Sequence, residues 1–312
     1  MGNYSDYQGP VAEWEDFIKS TGEVPAPPLH LPILEMRSLT NAGRTVAAQE
    51  QVKALGLKEK VAWQDYSILT RDSQNITARV YKPKVLATNA SSSATSGTGL
   101  PIYLYFHGGG HLLGNVDSED GTCSRLVGDS SFPLVVVNVN YRHTPEFPWP
   151  TQFNDAWDSL VWLSTHATDF GGDPSKVVVG GVSAGGGLAA SIAVHHHRQR
   201  LLQSGQAAAP AVTILGQVLA SPWLLHPSAN PLAREALSSF NQNQNAPVLP
   251  WSILKVFADL LGPEAVSDPS FNVALTDDTV IQGLPKTSCL VAGQDLLRDE
   301  GLYYAEKLKK NE

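Results

Sequence analysis

Cysteine is scarce in this chain: two residues in 312, Cys123 and Cys289. That excludes a disulfide framework, and each thiol is expected to be a buried structural residue rather than a redox or nucleophilic one. Charged residues are few as well, at 17%, and their balance is wrong for polyanions: the net charge is −8. Nucleic acid and anionic membrane surfaces are therefore not expected partners. No apolar run approaches the roughly 18 residues of a membrane span. Residues 1–9 hold no basic stretch leading into an apolar core, so no secretory signal is read and a cytoplasmic location is expected. Asp6 stands where myristoylation of Gly2 would want Ser or Thr. Asn75-Ile76-Thr77 and Asn89-Ala90-Ser91 fit the glycosylation pattern but mean little without secretion. What remains is an ordinary globular composition, 42% hydrophobic, long enough for one large α/β domain or two small ones.

What is present centres on Val177-Val178-Val179-Gly180-Gly181-Val182-Ser183-Ala184-Gly185-Gly186-Gly187. The β-branched run reads as the end of a buried strand, and Leu188 to Ala193 reads as a helix. Between them lies Gly181-x-Ser183-x-Gly185, the strand–turn–helix serine motif. A serine at so sharp a turn takes a strained backbone, and glycine flanks let the strand and helix approach closely. Its hydroxyl then stands at the end of a sheet, over a helix N-terminus that favours developing negative charge. A second motif, His107-Gly108-Gly109-Gly110, follows the apolar run Pro101–Phe106. Such a loop brings backbone N–H groups within reach of a substrate oxygen, and the amide of the residue after the serine, Ala184, completes an oxyanion hole.

Along the chain, residues 1–59 read as helical with a proline-rich interruption at Pro25–Pro28. Val11, Trp14 and Ile18, then Val52, Leu55 and Leu57, predict two amphipathic helices. Val61–Leu69 and Ile76–Tyr81 predict a hairpin around Arg71-Asp72-Ser73. Ala87–Gly99 is a Ser/Thr/Ala/Gly tract read as a surface loop. Strands are expected at Pro101–Phe106, Leu134–Val139, Lys176–Gly180, Val212–Leu219 and Thr287–Ala292. Helices are expected at Asp120–Val127, Phe153–Leu163, Ala184 to about Leu202, Trp251–Leu261 and Leu296–Lys310. The alternation predicts a mostly parallel, doubly wound sheet. The stretch 223–272 is poorly patterned and contains the polar tract Asn241-Gln242-Asn243-Gln244-Asn245.

The two motifs, with Tyr141-Arg142-His143-Thr144-Pro145-Glu146-Phe147-Pro148-Trp149-Pro150 and Asp295-Leu296-Leu297-Arg298-Asp299-Glu300, make the chain resemble the hormone-sensitive lipase family of α/β-hydrolase esterases and lipases. The resemblance runs from about residue 60 to the C-terminus, with Val182 where the family usually has Asp. It implies an α/β-hydrolase domain over 60–312, with a helical cap built from residues 1–59 and an insertion at about 223–272. It implies Ser183 as nucleophile and Asp295 as the acid of a triad, against the alternative that Asp295 is a helix N-cap. It further implies oxyanion donors at Gly108, Gly109 and Ala184, supported by His107, Gly110, Gly181 and Gly185, with no metal and no organic cofactor. The expected substrate is a small to medium carboxylic ester with an apolar acyl group, in a biosynthetic or detoxifying role.

The order Ser, acid, His expected of this fold is incomplete. All nine histidines precede Asp295. His111 and His143 read as wall and structural residues, and His195-His196-His197 as a solvated helix end whose side chains diverge too far to share a metal. By resemblance, a last edge strand, a His-bearing loop and a final helix are expected after Glu312. Two explanations stand side by side: a truncated serine hydrolase, or a non-catalytic small-molecule binder of the gibberellin-receptor kind. Lactone opening or acyl transfer at the same site is a third. If the strand at Thr287–Ala292 lies at the sheet edge, self-association through it is expected.

Overall fold

The computed structural model describes residues 3–24, 27–84, 99–202 and 210–311. Residues 87–98 of the Ser/Thr/Ala/Gly tract, Asn89 among them, lie outside this set, as do Gly2, Pro25 and Ala26.

Seven strands form one sheet: β1 (Val61–Leu69), β2 (Asn75–Pro83), β3 (Leu100–Phe106), β4 (Val135–Asn140), β5 (Gly172–Val182), β6 (Ile214–Ala220) and β7 (Lys286–Leu290). Their order is β1-β2-β4-β3-β5-β6-β7. The β1–β2 hairpin and the β2–β4 pair are antiparallel, and the other pairs are parallel. Among the described residues, seven helices have nine residues or more: α1 (Ala12–Thr21), α2 (Ile33–Ala54), α3 (Asp120–Gly128), α4 (Thr151–His166), α5 (Ala184–Leu201), α6 (Trp251–Leu261) and α7 (Arg298–Lys310).

Alternation along the strands supplies two apolar faces. Ile102, Leu104 and Phe106 of β3, with Val135, Val137 and Val139 of β4, join Leu160, Leu188 and Ile192 of α4 and α5 in the main core. Tyr105 and Val136 point the other way, onto Cys123 and Val127 of α3. The sheet is thus covered on both faces, which explains why Val135–Val139 is buried throughout. Cys123 is buried and Cys289 half-buried, both as free thiols. Because β3 has β4 on one side and β5 on the other, successive crossovers diverge there. The loops leaving β3 and β5 consequently meet at the carboxyl end of the sheet, the usual place for a ligand crevice.

Two features differ from expectation. Helix α1 forms but buries no residue. Its first apolar position, Val11, is 65% exposed, and Trp14 stacks on its own neighbour Phe17 at 5.7 Å. Glu13, Glu15, Asp16 and Lys19 leave too narrow an apolar stripe to seat the helix. Strand β7 ends at Leu290, two residues early, where the Ser221 amide takes the Leu290 carbonyl and the chain turns out of the sheet. Among the described residues β7 pairs with β6 alone.

Candidate active site

Ser183 sits between β5 and α5 with φ 55° and ψ −119°, a conformation L residues rarely adopt. Its amide donates to the Ala220 carbonyl at 2.9 Å, and its carbonyl accepts from Gly187 and Trp223, each at 3.0 Å. The flanking glycines are required by close packing. A Cβ at Gly181 would lie 2.2 Å, and one at Gly185 2.0 Å, from the Phe106 carbonyl oxygen. Backbone therefore packs directly on backbone where β3, β5 and α5 converge. Ser183 is half-buried, and its hydroxyl has no intramolecular partner among the described residues.

The loop after β3 closes against this turn. A Cβ on Gly108 would lie 3.0 Å from the Val182 oxygen and 3.5 Å from the Ser183 Cβ. Gly109, at φ 129°, accepts the amides of Leu112 and Leu113 at 3.0 and 2.8 Å. Gly110 lies under Phe257 of α6, whose ring would be 2.0 Å from a Cβ there. His107 stacks on Tyr141 at 4.5 Å, and the Tyr141 hydroxyl donates to the His107 carbonyl at 2.8 Å. The His107 Nδ1 is 3.0 Å from the Gly108 oxygen. Since that oxygen can only accept, the proton is on Nδ1. Burial holds the imidazole well below its ordinary pKa, so the ring is neutral. No protein acceptor takes the amides of Gly108, Gly109 or Ala184 among the described residues. The first amides of a helix are unpaired in any case.

Asp295 lies beyond β7, two strands from Ser183. Its Oδ1 accepts the Leu297 amide at 3.0 Å. Helix α7 starts only at Arg298, so Asp295 forms a local turn and is not the helix N-cap. Burial pushes its carboxyl upward. The Asn243 amide fixes the loop by donating to the carbonyls of Gly293 and Asp295 at 3.2 and 2.9 Å. The end of β6 links the two halves, since Ala220 accepts from Ser183 and the Ser221 amide donates to Leu290 at the end of β7.

Asp299 and Glu300 lie in the first turn of α7, where carboxylates favour the helix dipole, and both also bind groups outside that helix. Glu300 is buried and accepts the Leu224 and Leu225 amides at 2.6 and 3.2 Å and the Asn230 side chain at 3.0 Å. Asp299 accepts the Ser239 amide at 2.8 Å and pairs with the fully buried Arg298 at 2.8 Å. Arg298 also reaches Gln242 at 2.8 Å and Gln8. These contacts tie the N-terminal segment and the 223–272 stretch to the Asp295 loop.

Among the described residues, no imidazole is hydrogen-bonded to Ser183 or Asp295. His111 is buried among Tyr141, Trp149, Trp223 and Phe271, with ring centres 5.7–6.0 Å away. His143 is half-buried beside Tyr141 at 5.0 Å. The triple histidine does diverge, but it is not a solvated helix end. His195 packs edge-on to Trp157 at 4.5 Å, His196 is buried, and His197 bonds the Gln282 carbonyl at 3.1 Å. Gln282 and Gly283, which meet His197, are distant in sequence, so local pattern could not reveal them.

Comparison with known proteins agrees with this fold. A family profile described as alpha/beta hydrolase fold matches residues 103–312. The carboxylesterase NlhH of Mycobacterium tuberculosis is 32% identical over 75% of this chain and 65% of its own length. The chain thus spans about 65% of the curated relatives it matches first. Among solved structures, an esterase of Pyrobaculum calidifontis superposes with a TM-score of 0.74 at 26% identity, over 97% of this chain and 86% of that one. Vibralactone cyclase superposes at 0.79 and 25% identity, over 98% and 84%.

Proposed function

From the chain's membership of the α/β-hydrolase fold family, in its hormone-sensitive lipase-like branch, we propose that it is a serine hydrolase of small to medium carboxylic esters. The observation that carries this reading is the left-handed Ser183 at a helix N-terminus with the Gly108 backbone against its Cβ. Ser183 Oγ attacks the ester carbonyl, and the alcohol leaves with a proton. The acyl-enzyme is then released by water. The amides of Gly108, Gly109 and Ala184 hold the oxyanion, each worth roughly 10²–10³ in rate. His107 and Gly110 shape that loop, while Gly181 and Gly185 permit the turn. Asp295 orients and stabilises an imidazole base. The aromatic cluster of Trp149, Trp223 and Phe271, with Phe257 over Gly110, favours an apolar acyl chain under a cap drawn from residues 1–59 and 223–272.

A second reading is a non-catalytic binder of small molecules, in which the same crevice holds a ligand and Ser183 is not acylated. The likeness to vibralactone cyclase supports a third use of the same acyl-enzyme, in which an alcohol rather than water accepts the acyl group. Hydrolysis of p-nitrophenyl butyrate, with and without added imidazole, separates these. A site without its base is expected to retain roughly 10³–10⁴ over water. Once the rate with imidazole alone is subtracted, added imidazole should raise the rate in the unaltered chain and not in Ser183→Ala. Equal rates for the two proteins at every imidazole concentration would leave the binder as the better account.

A further inference from the structure

Helix α2 runs along the loop after β3, and side chains at positions 37, 41 and 44, spaced by four and three, share one of its faces. Arg37 donates to the Thr144 carbonyl at 3.0 Å and pairs with Glu146. Asn41 brackets Gly114, accepting its amide on Oδ1 at 2.8 Å and facing its carbonyl with Nδ2 at 3.4 Å. Arg44 pairs with Glu119 at 2.7 Å and places Nη1 3.4 Å from the Gly108 carbonyl oxygen. Glu119 is buried and is itself held by the Tyr105 hydroxyl at 3.0 Å, so the guanidinium is anchored.

These contacts converge on one peptide. A Cβ on Gly114 would lie 2.4 Å from the His107 Nδ1 and 3.0 Å from the Gly108 oxygen, so Asn41 seats Gly114 against the same carbonyl that Arg44 and His107 address. A trans peptide is planar, with its C=O and N–H opposed. Fixing the Gly108 oxygen toward α2 therefore aims the Gly109 N–H away from α2. A cation behind a carbonyl also polarises the amide and strengthens its N–H as a donor.

We propose that Asn41 and Arg44 are positioning residues of the oxyanion loop: α2 aligns and polarises the Gly108–Gly109 peptide. This deepens the serine-hydrolase reading, on which the role of the Gly109 amide rests. It also gives the N-terminal segment a part in the site that covering it would not require.

The test reads that peptide directly. In protein labelled with glycine carrying ¹³C at the carbonyl and ¹⁵N, only amides that follow a glycine give a carbonyl-edited signal, and Gly109 is identified by its loss in Gly108→Ala. Arg44→Met should move the Gly108 carbonyl carbon and the Gly109 nitrogen upfield, because a hydrogen bond to the carbonyl shifts both downfield. Arg44→Lys should restore part of the shift, and Asn41→Leu should reproduce part of the loss. Arg37→Met, which cuts a tie of the same helix to the neighbouring loop, should leave both signals in place. Because Arg44→Met strands Glu119, Arg44→Met/Glu119→Gln is measured beside it. Where Ser183-dependent hydrolysis is present, kcat should fall roughly ten- to a hundredfold in Arg44→Met with KM unchanged. Unmoved signals in both Arg44 variants, or equal movement in Arg37→Met, would overturn the proposal. A chain without hydrolysis but with the shift would count against the hydrolase reading alone.

Discussion

The turn that carries Ser183 and the loop that carries Asp295 lie two strands apart on one edge of one sheet, and they are held by opposite means. Around Ser183 the contacts are backbone on backbone, at distances that admit no Cβ on Gly181 or Gly185. Around Asp295 the contacts are side chain on backbone, drawn from Asn243, Arg298, Asp299 and Glu300. The first arrangement depends on absent atoms and has no room for relaxation. The second depends on polar atoms whose loss leaves buried donors and acceptors unsatisfied. One half of the site is thus steric and the other electrostatic.

That contrast breaks most visibly at Gly185. Gly185→Ala should cost about 3 kcal/mol or more, since neither the Phe106 carbonyl nor the first turn of α5 can retreat. The check is the fall in urea midpoint, together with loss of any Ser183-dependent acylation. Glu300→Ala should cost less, about 2–3 kcal/mol, for two stranded amides and the Asn230 side chain. It should leave acylation of Ser183 in place at low temperature. Were Glu300→Ala the costlier change, the steric half would not be the rigid one.

A smaller effect sharpens the same comparison through pH. Burial lowers His111 to about 3, with the nearby His107 adding to the shift. Between that value and the ordinary 6.5 the unfolded chain holds a proton that the folded one lacks. The stability contributed at this residue is therefore complete above about pH 6.5 and declines as pH falls, by about 1.4 kcal/mol per pH unit. His111→Asn, which suits the left-handed φ of 59° there, should flatten the pH dependence of urea stability by that slope. An unchanged slope would mean that His111 is protonated in the folded protein.

The difference between the halves also governs what could be read in advance. The steric half is written in local pattern. Gly181, Ser183 and Gly185 are two apart, the preceding strand has its own periodicity, and His107–Gly110 ends an apolar run. The electrostatic half is written at long range. Arg298 and Gln8 are 290 residues apart, and Asn243 reaches Asp295 from 52 residues away. Asn243 belongs to a tract of amides within the poorly patterned cap insertion, yet it is buried and fixes the acid loop. Glu300 is a first-turn carboxylate by local pattern, but its partners, Leu224, Leu225 and Asn230, follow β6. Helix α1 forms where its apolar spacing puts it, yet it buries none of its residues.

Ser183 has its amide bonded once and its carbonyl twice, at a φ from which a non-glycine residue has few neighbouring conformations to visit. Only the rotation about χ1 is left to it. The entropy of placing this backbone is consequently lost once, when the chain folds, and not again at each encounter with a ligand. A molecule entering the crevice meets a Cβ already in place, and only one rotor of the serine remains to be set.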